Sequence, residues 1–498
     1  MLARTFAPAL VGFEGQLVEI ESDMSNGLPG FMVVGLGDKA IEEARERIRG
    51  AIKNSGLYLP PKRLTLNLAP ADLPKDGTGY DLGMAIAILV SSGQIDCDLS
   101  KDLFIGELSL EGTLRPVRGS LIAAQLGASH GFNRVFVPRS NADEAALDDS
   151  IEVIPVDTLH QLYRHLIGEI PMHAHTITQQ PEKEQQALPS LDQIYGQDIA
   201  KRALLIAVAG GHNILFSGPP GAGKTLLAKA ALGLMPPLSR AELLDVIKLH
   251  SIAGLNYGMN LTRPFRSPHH TASSVALIGG GTRPKPGEIS LSHHGILFLD
   301  ELPEFSRSVL ESLRQPLEDG VVSVSRAAGS CTYPADFMLI ATQNPCPCGY
   351  LNDKLRECTC SPSSVQAYER KISGPLLDRI DLIIGVDRVE TDRLVGGKKT
   401  NTNIDYQSLI GKAREIQAMR YQNRNILLNS QMTNHDLETD CILDQETTVL
   451  ARLAISNLKL SARSYTRILK VARTIADLDN AKNIASFHLA EAIQYRSK

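Results

Sequence analysis

Gly218-Pro219-Pro220-Gly221-Ala222-Gly223-Lys224-Thr225 is the stretch of sequence that decides the fold. It fits the pattern G-x-x-x-x-G-K-S/T, in which backbone N–H groups of a glycine-rich loop close around a phosphate. The preceding run, 212–217, has the pattern of a buried strand, and 226–234 has that of an Ala- and Leu-rich helix. This order predicts a nucleoside triphosphate site at a helix N-terminus, where the helix dipole favours anions.

Two side chains of this loop have predicted roles at the nucleotide. Lys224 would reach the β- and γ-phosphates, and the Thr225 hydroxyl would ligate Mg²⁺. The six residues before them, 218–223, would supply the backbone cradle. A nucleoside triphosphate and Mg²⁺ are therefore the predicted cofactors.

The bulk composition sets broad limits on the class of protein. The 498 residues are 43% hydrophobic, enough for about three globular domains of roughly 150 residues each. We find no apolar run of about 18 residues and no basic stretch leading into an apolar one at the start, so we expect a cytoplasmic protein without a membrane partner. The net charge of −4 neither favours nor excludes nucleic acid as a partner.

Two polar segments divide the chain. Residues 173–190, rich in Gln and Glu, are a predicted linker, and residues 395–407, with two glycines and a TNTN stretch, are a second. The predicted parts are an α/β domain at 1–172, a nucleotide-binding domain at 191–394 and a helical domain at 395–498. Helical periodicity appears at 409–421, 447–458 and 465–478. In the last of these we expect a solvated face, with DNA contact as the alternative, for Arg467, Lys470 and Arg473.

Two further apolar runs end in polar residues. Residues 296–299 lead into Asp300 and Glu301, and residues 337–342 lead towards Asn344. Ligands collect at the carboxyl ends of strands in open α/β sheets. Asp300 would therefore hold Mg²⁺, Glu301 would polarise the attacking water, and Asn344 would lie beside the γ-phosphate.

The order of these motifs resembles that of AAA+ ATPases of the magnesium-chelatase-like group, over nearly the whole chain. Residues 263–270 (RPFRSPHH), 279–291 (GGGTRPKPGEISL) and 298–305 (FLDELPEF) are most similar to the ComM/YifB family. The resemblance implies that ATP is the nucleotide. It also implies that Asn344 is sensor 1 and that the C-terminal helices form a lid.

Two arginines take their predicted roles from the same resemblance. Residues 374–381 (GPLLDRID) resemble an arginine-finger segment, so Arg379 would act on the ATP of a neighbouring subunit. Arg463 resembles sensor 2 on the lid. A finger acting in trans requires a head-to-tail homo-oligomer, and the family implies a ring of six subunits. A surface ion pair of Arg379 with Asp378 or Asp381 stays open as the alternative.

The N-terminal part resembles the proteolytic domain of Lon at 66–77, 82–90 and 106–112. The positions that match the Lon serine nucleophile and its lysine are occupied here by Gly79 and Leu121. Neither residue can act as a nucleophile or a base, so we expect no protease activity. The expected fold class is thus α/β, with a Lon-protease-like N-terminal domain, a central AAA+ domain and a C-terminal helical lid.

The predicted nucleic-acid contacts lie in two stretches. Residues 246–287 contain no acidic side chain over 42 positions, and their Gly and Pro residues predict loops. A predicted hairpin spans 321–333. The candidate DNA contacts are Arg263, Arg266, Lys285 and Arg326. In a ring they would line a channel and track a phosphate backbone, although service to the ATP phosphates or to a subunit interface remains the alternative.

The family resemblance points to DNA as the substrate. It implies a hexameric helicase that drives branch migration during natural transformation, with single-stranded or branched DNA and recombination proteins as partners. A protein-remodelling or chelatase-type motor would also accommodate the Lon-like and chelatase-like features. It is therefore kept as the alternative function.

Four of the seven cysteines form a tight cluster. Cys346, Cys348, Cys358 and Cys360 lie within fifteen residues, just after Asn344. A tetrahedral Zn²⁺ site would stabilise this loop. The spacing C-x-C is less typical of zinc than C-x-x-C, and reduced free thiols or a redox disulfide remain alternatives.

Overall fold

A computed structural model describes residues 2–35, 39–71, 73, 75, 77–177, 188–255, 257, 261–281, 284–326, 329–353, 355–388, 405–424 and 426–496. Its strands are β1 Leu2–Val11, β2 Glu14–Ser25, β3 Gly30–Val34, β4 Arg63–Ala69, β5 Asp102–Phe104, β6 Glu107–Leu108, β7 Leu114–Arg115, β8 Arg134–Pro138, β9 Glu152–Val156, β10 Ile214–Ser217, β11 Phe265–Arg266, β12 Gly279–Gly280, β13 Lys285–Pro286, β14 Ile296–Leu299, β15 Val321–Arg326, β16 Gly329–Pro334, β17 Met338–Gln343 and β18 Leu382–Gly385.

Its α-helices are α1 Lys39–Asn54, α2 Asp81–Ser91, α3 Ser120–Ser129, α4 Ala142–Ala145, α5 Leu159–Leu166, α6 Asp198–Gly210, α7 Lys224–Leu234, α8 Arg240–Ala253, α9 Ser274–Ile278, α10 Glu288–Leu291, α11 Arg307–Ser312, α12 Pro316–Asp319, α13 Pro362–Glu369, α14 Gly374–Leu377, α15 Tyr406–Arg420, α16 Asn434–Asp440, α17 Gln445–Leu458, α18 Ala462–Leu478 and α19 Ser486–Gln494. The chain is therefore mixed α/β. Among the described residues, no helix combines the length and apolar character needed to span a bilayer.

The chain forms two compact units. Unit 1 consists of Met1–Glu182, Arg240–Asn260 and Ser325–Tyr333, and unit 2 of Lys183–Ser239, Leu261–Val324 and Pro334–Lys498. Arg240–Asn260 and Ser325–Tyr333 lie inside the predicted nucleotide-binding domain, 191–394, but belong to the same unit as the N-terminal residues. Most of the first predicted linker, and the second one up to residue 404, lie outside the described residues.

Unit 1 is built on a mixed seven-stranded sheet in the order β3-β4-β2-β1-β5-β8-β9. Helix α2 is apolar all round, and nearly every residue in it is buried, as expected for a helix inside a core. Its first residue, Asp81, receives an ion pair from Arg47 of α1 at 2.8 Å and a hydrogen bond from the Leu108 backbone at 3.2 Å. Burial raises the pKa of Asp81 to about 6 despite the Arg47 charge.

Unit 2 contains a parallel five-stranded sheet in the order β11-β14-β17-β10-β18. All four residues of β14 and most residues of β17 and β10 are buried, as is typical of parallel sheets. Strand β10 lies between β17 and β18, although β17 follows it by more than a hundred residues. The chain therefore leaves β10 at a topological switch point, where α/β sheets bind ligands.

Most of the predicted elements are confirmed. The strand before the glycine-rich loop is β10, the helix after it is α7, and the two strands with polar ends are β14 and β17. The predicted hairpin is β15 and β16, although its turn lies outside the described residues. The expectation of loops is wrong for two parts of the acid-free stretch: residues 246–253 are the C-terminal part of α8, and Ser274–Ile278 form α9.

The three periodic C-terminal stretches are helices α15, α17 and α18, but the predicted solvated face of α18 is wrong. Arg467 binds the carboxylate of Asp381 at 2.5 Å, and Lys470 donates to the Ser430 carbonyl at 2.9 Å. Arg473 is 2% exposed and forms an ion pair with Asp477. The basic face points inward because α18 packs against α6, α15 and α19, where buried acceptors match its charges.

Asp381 is the buried carboxylate that receives Arg467 and the backbone N–H of Asn213. Burial acts to raise its pKa, but the Arg467 charge, His212 at 3.7 Å and the hydrogen bond from the Asn213 backbone outweigh burial and hold the pKa of Asp381 below its usual range. The ionised Asp381 carboxylate therefore stabilises the folded state fully at pH values above its unfolded-state pKa of about 3.9. This contribution to stability is lost as the pH falls towards the folded-state pKa.

We expect Asp381→Asn to lower the free energy of unfolding by about 3–5 kcal/mol, because it leaves the Arg467 charge buried without its partner. Urea unfolding followed by circular dichroism would measure the change. Asp378→Asn is the matched control, since Asp378 is partly exposed and its ion pair with Arg496 spans 3.6 Å. We expect the control to lower the free energy of unfolding by less than about 1 kcal/mol. Equal losses in the two variants would contradict a special role for Asp381.

Candidate active site

Lys224, at the start of α7, is held at the carboxyl edge of the unit 2 sheet. Its ammonium group is buried and donates hydrogen bonds to the carbonyls of Gly218 and Pro219 and to Oδ1 of Asn344, the last at 3.1 Å. Burial lowers the pKa of Lys224, while the charges of Asp300 and Glu301 act in the opposite direction. The structure therefore brings the predicted phosphate-binding lysine and the predicted sensor 1 into direct contact.

Glycine is required at two positions of the loop for different reasons. At Gly218 an added Cβ would lie 2.0 Å from the carbonyl oxygen of Val386, so no side chain fits between the loop and the end of β18. Gly223 caps α7 with a φ of 87°, a left-handed conformation that other residues adopt at a cost. These constraints leave the N-terminus of α7 facing the space that a phosphate would occupy.

The predicted Mg²⁺ ligands are neighbours. The Thr225 hydroxyl donates to Oδ2 of Asp300 at 3.4 Å. Two oxygens at adjacent octahedral positions of Mg²⁺, each about 2.0–2.1 Å from the ion, lie about 2.9 Å apart, so a small adjustment allows both to bind one ion. The donor set of a hydroxyl and a carboxylate also suits this hard cation. The residues present therefore fit Mg²⁺.

Thr342, which sequence reasoning missed, organises the two carboxylates. Its buried hydroxyl donates to Oδ1 of Asp300 at 2.5 Å and accepts from the backbone N–H of Glu301 at 3.0 Å. Glu301 itself has a φ of 53°, a strained conformation that turns its exposed side chain out of the strand line. A hydroxyl inside the apolar run of β17 was the only sequence signal for this role.

Arg379 and Arg463 meet at a third residue, Glu318, which sequence reasoning also missed. Nη2 of Arg379 donates to one oxygen of the Glu318 carboxylate, and Nη2 of Arg463 donates to the other at 2.7 Å. The Arg379 side chain is only 7% exposed and also donates to the Pro375 carbonyl, whereas Arg463 is 49% exposed. The buried Arg379 side chain therefore pairs with Glu318, whose side chain is 45% exposed, and not with Asp378 or Asp381, the partners of the alternative.

The candidate DNA contacts differ in how exposed their side chains are and in the hydrogen bonds that they already make within the chain. Arg263 is buried and donates to the carbonyls of Pro236 and His294, both at 2.7 Å, which gives it a structural role and does not fit the predicted DNA contact. Arg266 is partly exposed but forms a two-bond ion pair with Glu288, the first acid after the acid-free stretch. Lys285 is exposed in β13, and the side chain of Arg326 lies outside the described residues.

The two positions that match the Lon nucleophile and base carry neither a nucleophilic nor a basic side chain. Leu121 is fully buried in α3, and Gly79 has only its backbone to offer, whose carbonyl accepts from Gly106 at 2.9 Å. Ser109 lies within the Lon-like segment 106–112, but not at a position that matches the Lon nucleophile, and its hydroxyl is bonded to that of Thr113 at 2.6 Å. The expected lack of protease activity stays a prediction.

The four clustered cysteines converge. Ligand sulfurs of Cys346, Cys348, Cys358 and Cys360 all lie within 4.8 Å of one another. Three of the pairs, 346–348, 346–358 and 348–358, are separated by 3.4, 3.7 and 3.6 Å. A tetrahedral Zn²⁺ with Zn–S bonds of about 2.3 Å requires S···S edges of about 3.8 Å. The four thiols therefore fit a zinc ion, and all four are free of disulfides in this structure.

Three family models match the chain, all of magnesium chelatase. They are described as "Magnesium chelatase, subunit ChlI" at residues 190–394, "Subunit ChlI of Mg-chelatase" at 20–141 and "Magnesium chelatase, subunit ChlI C-terminal" at 401–496. The first of these ranges contains the glycine-rich loop, the carboxylate pair, Asn344 and the cysteine cluster. The third contains Arg463.

Relatives match the chain from end to end. The "Competence protein ComM" of Haemophilus influenzae is 43% identical over 504 residues, covering 100% of this chain and 97% of the relative. The "Uncharacterized protein YifB" of Escherichia coli is 40% identical, covering 98% of this chain and 96% of the relative. A partial match, 29% identical over 36% of this chain, is to "Lon protease" of Rhizobium meliloti.

We expect Thr342→Val to leave nucleotide binding nearly unchanged and to lower the rate of ATP turnover about 10–100-fold, the usual effect of removing an outer-shell group that orients a metal ligand. Valine keeps the shape but cannot bond Asp300 or Glu301. Thr342→Ser is the matched control and should retain most of the activity. Titration of a fluorescent ATP analogue and a phosphate-release assay would separate binding from turnover. Full turnover in the valine variant would disprove the role of the hydroxyl.

Proposed function

The chain belongs to the ComM/YifB family of magnesium-chelatase-like AAA+ proteins, and from this premise we propose that it is an ATP-driven motor that moves DNA. In the specific form of the proposal, a ring of six subunits drives branch migration of recombination intermediates during natural transformation. The observation that carries the ATPase part is the contact of Lys224, Asn344, Thr225 and Asp300 at one sheet edge. The DNA part is supported by the full-length similarity to a competence protein.

Each residue of the proposed ATP site would have a separate role in hydrolysis. Lys224 and the N-terminus of α7 would bind the β- and γ-phosphates, and Thr225 and Asp300 would hold Mg²⁺, which neutralises charge on the phosphates when bound. Glu301, exposed at the end of β14, would orient a water molecule and accept its proton. Asn344, held by Lys224, would position that water or the γ-phosphate.

The ring is proposed because Arg379 lies in a segment that resembles an arginine finger acting on a neighbouring subunit, and Arg379 and Arg463 converge on Glu318. Since the two guanidinium groups share one carboxylate, they would serve the same nucleotide. In a head-to-tail ring that nucleotide belongs to the neighbouring subunit. Arg379 would have to exchange Glu318 for the γ-phosphate, so ring assembly and ATP binding would compete with this intramolecular ion pair.

For the DNA channel we retain Lys285 and Arg326 as the proposed contacts. Lys285 lies in the short hairpin of β12 and β13 and is exposed, and Arg326 ends β15. Arg266 contributes less in this proposal because Glu288 neutralises it. Basic hairpins of this kind would bind a phosphate backbone without reading its sequence.

A chelatase-type or protein-remodelling motor is the second candidate. The three magnesium chelatase models favour it, because together they extend from residue 20 to residue 496. The proposed ATP site serves either function equally well. The substrate that stimulates hydrolysis therefore distinguishes the two.

We also propose that the cysteine cluster holds a structural Zn²⁺. The support is the S···S separations of 3.4–3.7 Å and the absence of disulfides at these four residues. A backbone N–H, that of Cys348, points at the Cys360 sulfur at 3.4 Å and would stabilise a thiolate there. The ion would take no part in the chemistry of hydrolysis.

Salt-dependent binding of forked and single-stranded DNA tests the motor directly. We expect binding at low salt, ATPase activity stimulated by DNA, and a slope of log affinity against log salt of about −0.7 for each phosphate of a single strand that the protein neutralises. Lys285→Ala and Arg326→Ala should each make the slope shallower by about that amount. Lys53→Ala, at an exposed lysine of α1, is the matched control and should leave the slope unchanged. Absence of DNA binding at low salt would contradict the proposal and favour the second candidate.

A further inference from the structure

The cysteine loop is continuous with the residue predicted to face the γ-phosphate. Cys346 follows Asn344 by two residues and is fully buried. The amide oxygen of Asn344 already accepts a hydrogen bond from Lys224 at 3.1 Å. Any interaction that fixes Cys346 therefore limits how far Asn344 can move from Lys224.

The same loop packs directly on the phosphate-binding loop at Gly349. This glycine has a φ of 83°, and an added Cβ would lie 2.7 Å from Cδ of Pro220 and 3.9 Å from Cγ of Asn344. Only a residue without a Cβ lets the backbone approach so closely. The backbone at Gly349 thus packs on Pro220 of the phosphate-binding loop and lies near the Asn344 side chain.

The end of the cysteine loop leads into α13, which returns to Asn344. Ser361, directly after Cys360, caps this helix by accepting from the Ser364 N–H at 3.3 Å. Tyr368, near the end of the helix, is buried, and its hydroxyl lies beside the backbone of Asn344. Both ends of the cysteine segment therefore lie close to Asn344.

The outer side of the loop is tied to other parts of the nucleotide site. Tyr350 packs against two guanidinium groups, those of Arg356 at 4.3 Å and Arg388 at 5.5 Å from its ring centre. The backbone carbonyl of Asp387, the residue before Arg388, accepts a hydrogen bond from the side-chain amide of Gln197. The same amide donates to the Ala222 carbonyl of the phosphate-binding loop at 3.4 Å. The cysteine loop is thus packed into the nucleotide site on two sides.

We propose that the Cys₄ cluster is a positioning site for ATP hydrolysis, in which a bound Zn²⁺ fixes Asn344 and Pro220 relative to each other. The inference rests on the proposed ATPase function and on the proposed zinc. One ion bonded to four sulfurs holds Cys346 against Cys358 and so fixes both Gly349 and the start of α13. Without the ion, the fifteen residues from Cys346 to Cys360 lose the crosslink that holds them at the nucleotide.

Paired substitutions at Cys358, one removing the ligand and one replacing it, test the proposal. Cys358→Ser should lose the zinc, which metal analysis counts at about one ion per wild-type chain. It should bind a fluorescent ATP analogue within a few-fold of wild type and lower kcat about 10–100-fold. Cys358→His, which restores a zinc ligand, should regain both metal and most of kcat. Cys97→Ser, at an exposed cysteine of unit 1, is the matched control.

Gly349→Ala keeps all four thiols and changes only the packing of the cysteine loop on Pro220. We expect it to retain zinc and the circular dichroism spectrum of the wild type while lowering kcat, because its Cβ displaces Pro220. This variant keeps the proposal falsifiable if the serine variant fails to fold.

The outcomes separate the inference from the functions on which it rests. A wild-type protein that hydrolyses ATP but contains no zinc overturns the inference and leaves the ATPase function in place. Zinc loss in Cys358→Ser without a change in kcat also overturns it, because the metal is then structural only. A wild-type protein that binds zinc but never hydrolyses ATP, with or without DNA, contradicts the proposed function itself.

Discussion

The buried carboxylate of Asp381 is the constraint on which unit 2 depends. It accepts the backbone N–H of Asn213, at the start of the strand that leads into the phosphate-binding loop, and it binds Arg467 of α18 at 2.5 Å. The Arg379 carbonyl, two residues away, accepts from both Asn213 and Arg467 at 3.1 Å. A charge that cannot be left unpaired in the interior thus joins the nucleotide strand, the arginine segment and the helix that carries Arg463.

The parts of the site that lie within one continuous motif were predictable from the sequence. The strand, loop and helix around Lys224 and the apolar strands before Asp300 and Asn344 are encoded locally, by glycine at constrained positions and by apolar runs that end in polar residues. The parallel sheet then brings the three strand ends to one edge, because its strand order places β10 and β14 on either side of β17. The contact between Lys224 and Asn344 follows from that order.

The parts that depend on distant partners were not predictable. Thr342 is 42 residues from the carboxylate it orients, and Glu318 is 145 residues from Arg463. Arg263 has the sequence context of a DNA contact, but carbonyls brought near by folding take up its hydrogen bonds. The inward face of α18 was missed for the same reason: a basic helix face is solvated or buried according to the acceptors that other elements provide, and periodicity carries no information about them.

The central claim is that each active site takes Glu301 from one subunit and Arg379 from the next. It is tested most directly by mixing two variants, Glu301→Gln and Arg379→Ala, that should each be inactive alone. Random co-assembly of equal amounts pairs an intact Glu301 with an intact Arg379 at about one quarter of the interfaces. The account predicts that ATPase activity reappears on mixing, to about that fraction of the wild-type rate. A mixture that stays as inactive as its components, although mixed rings are shown to form, would contradict it.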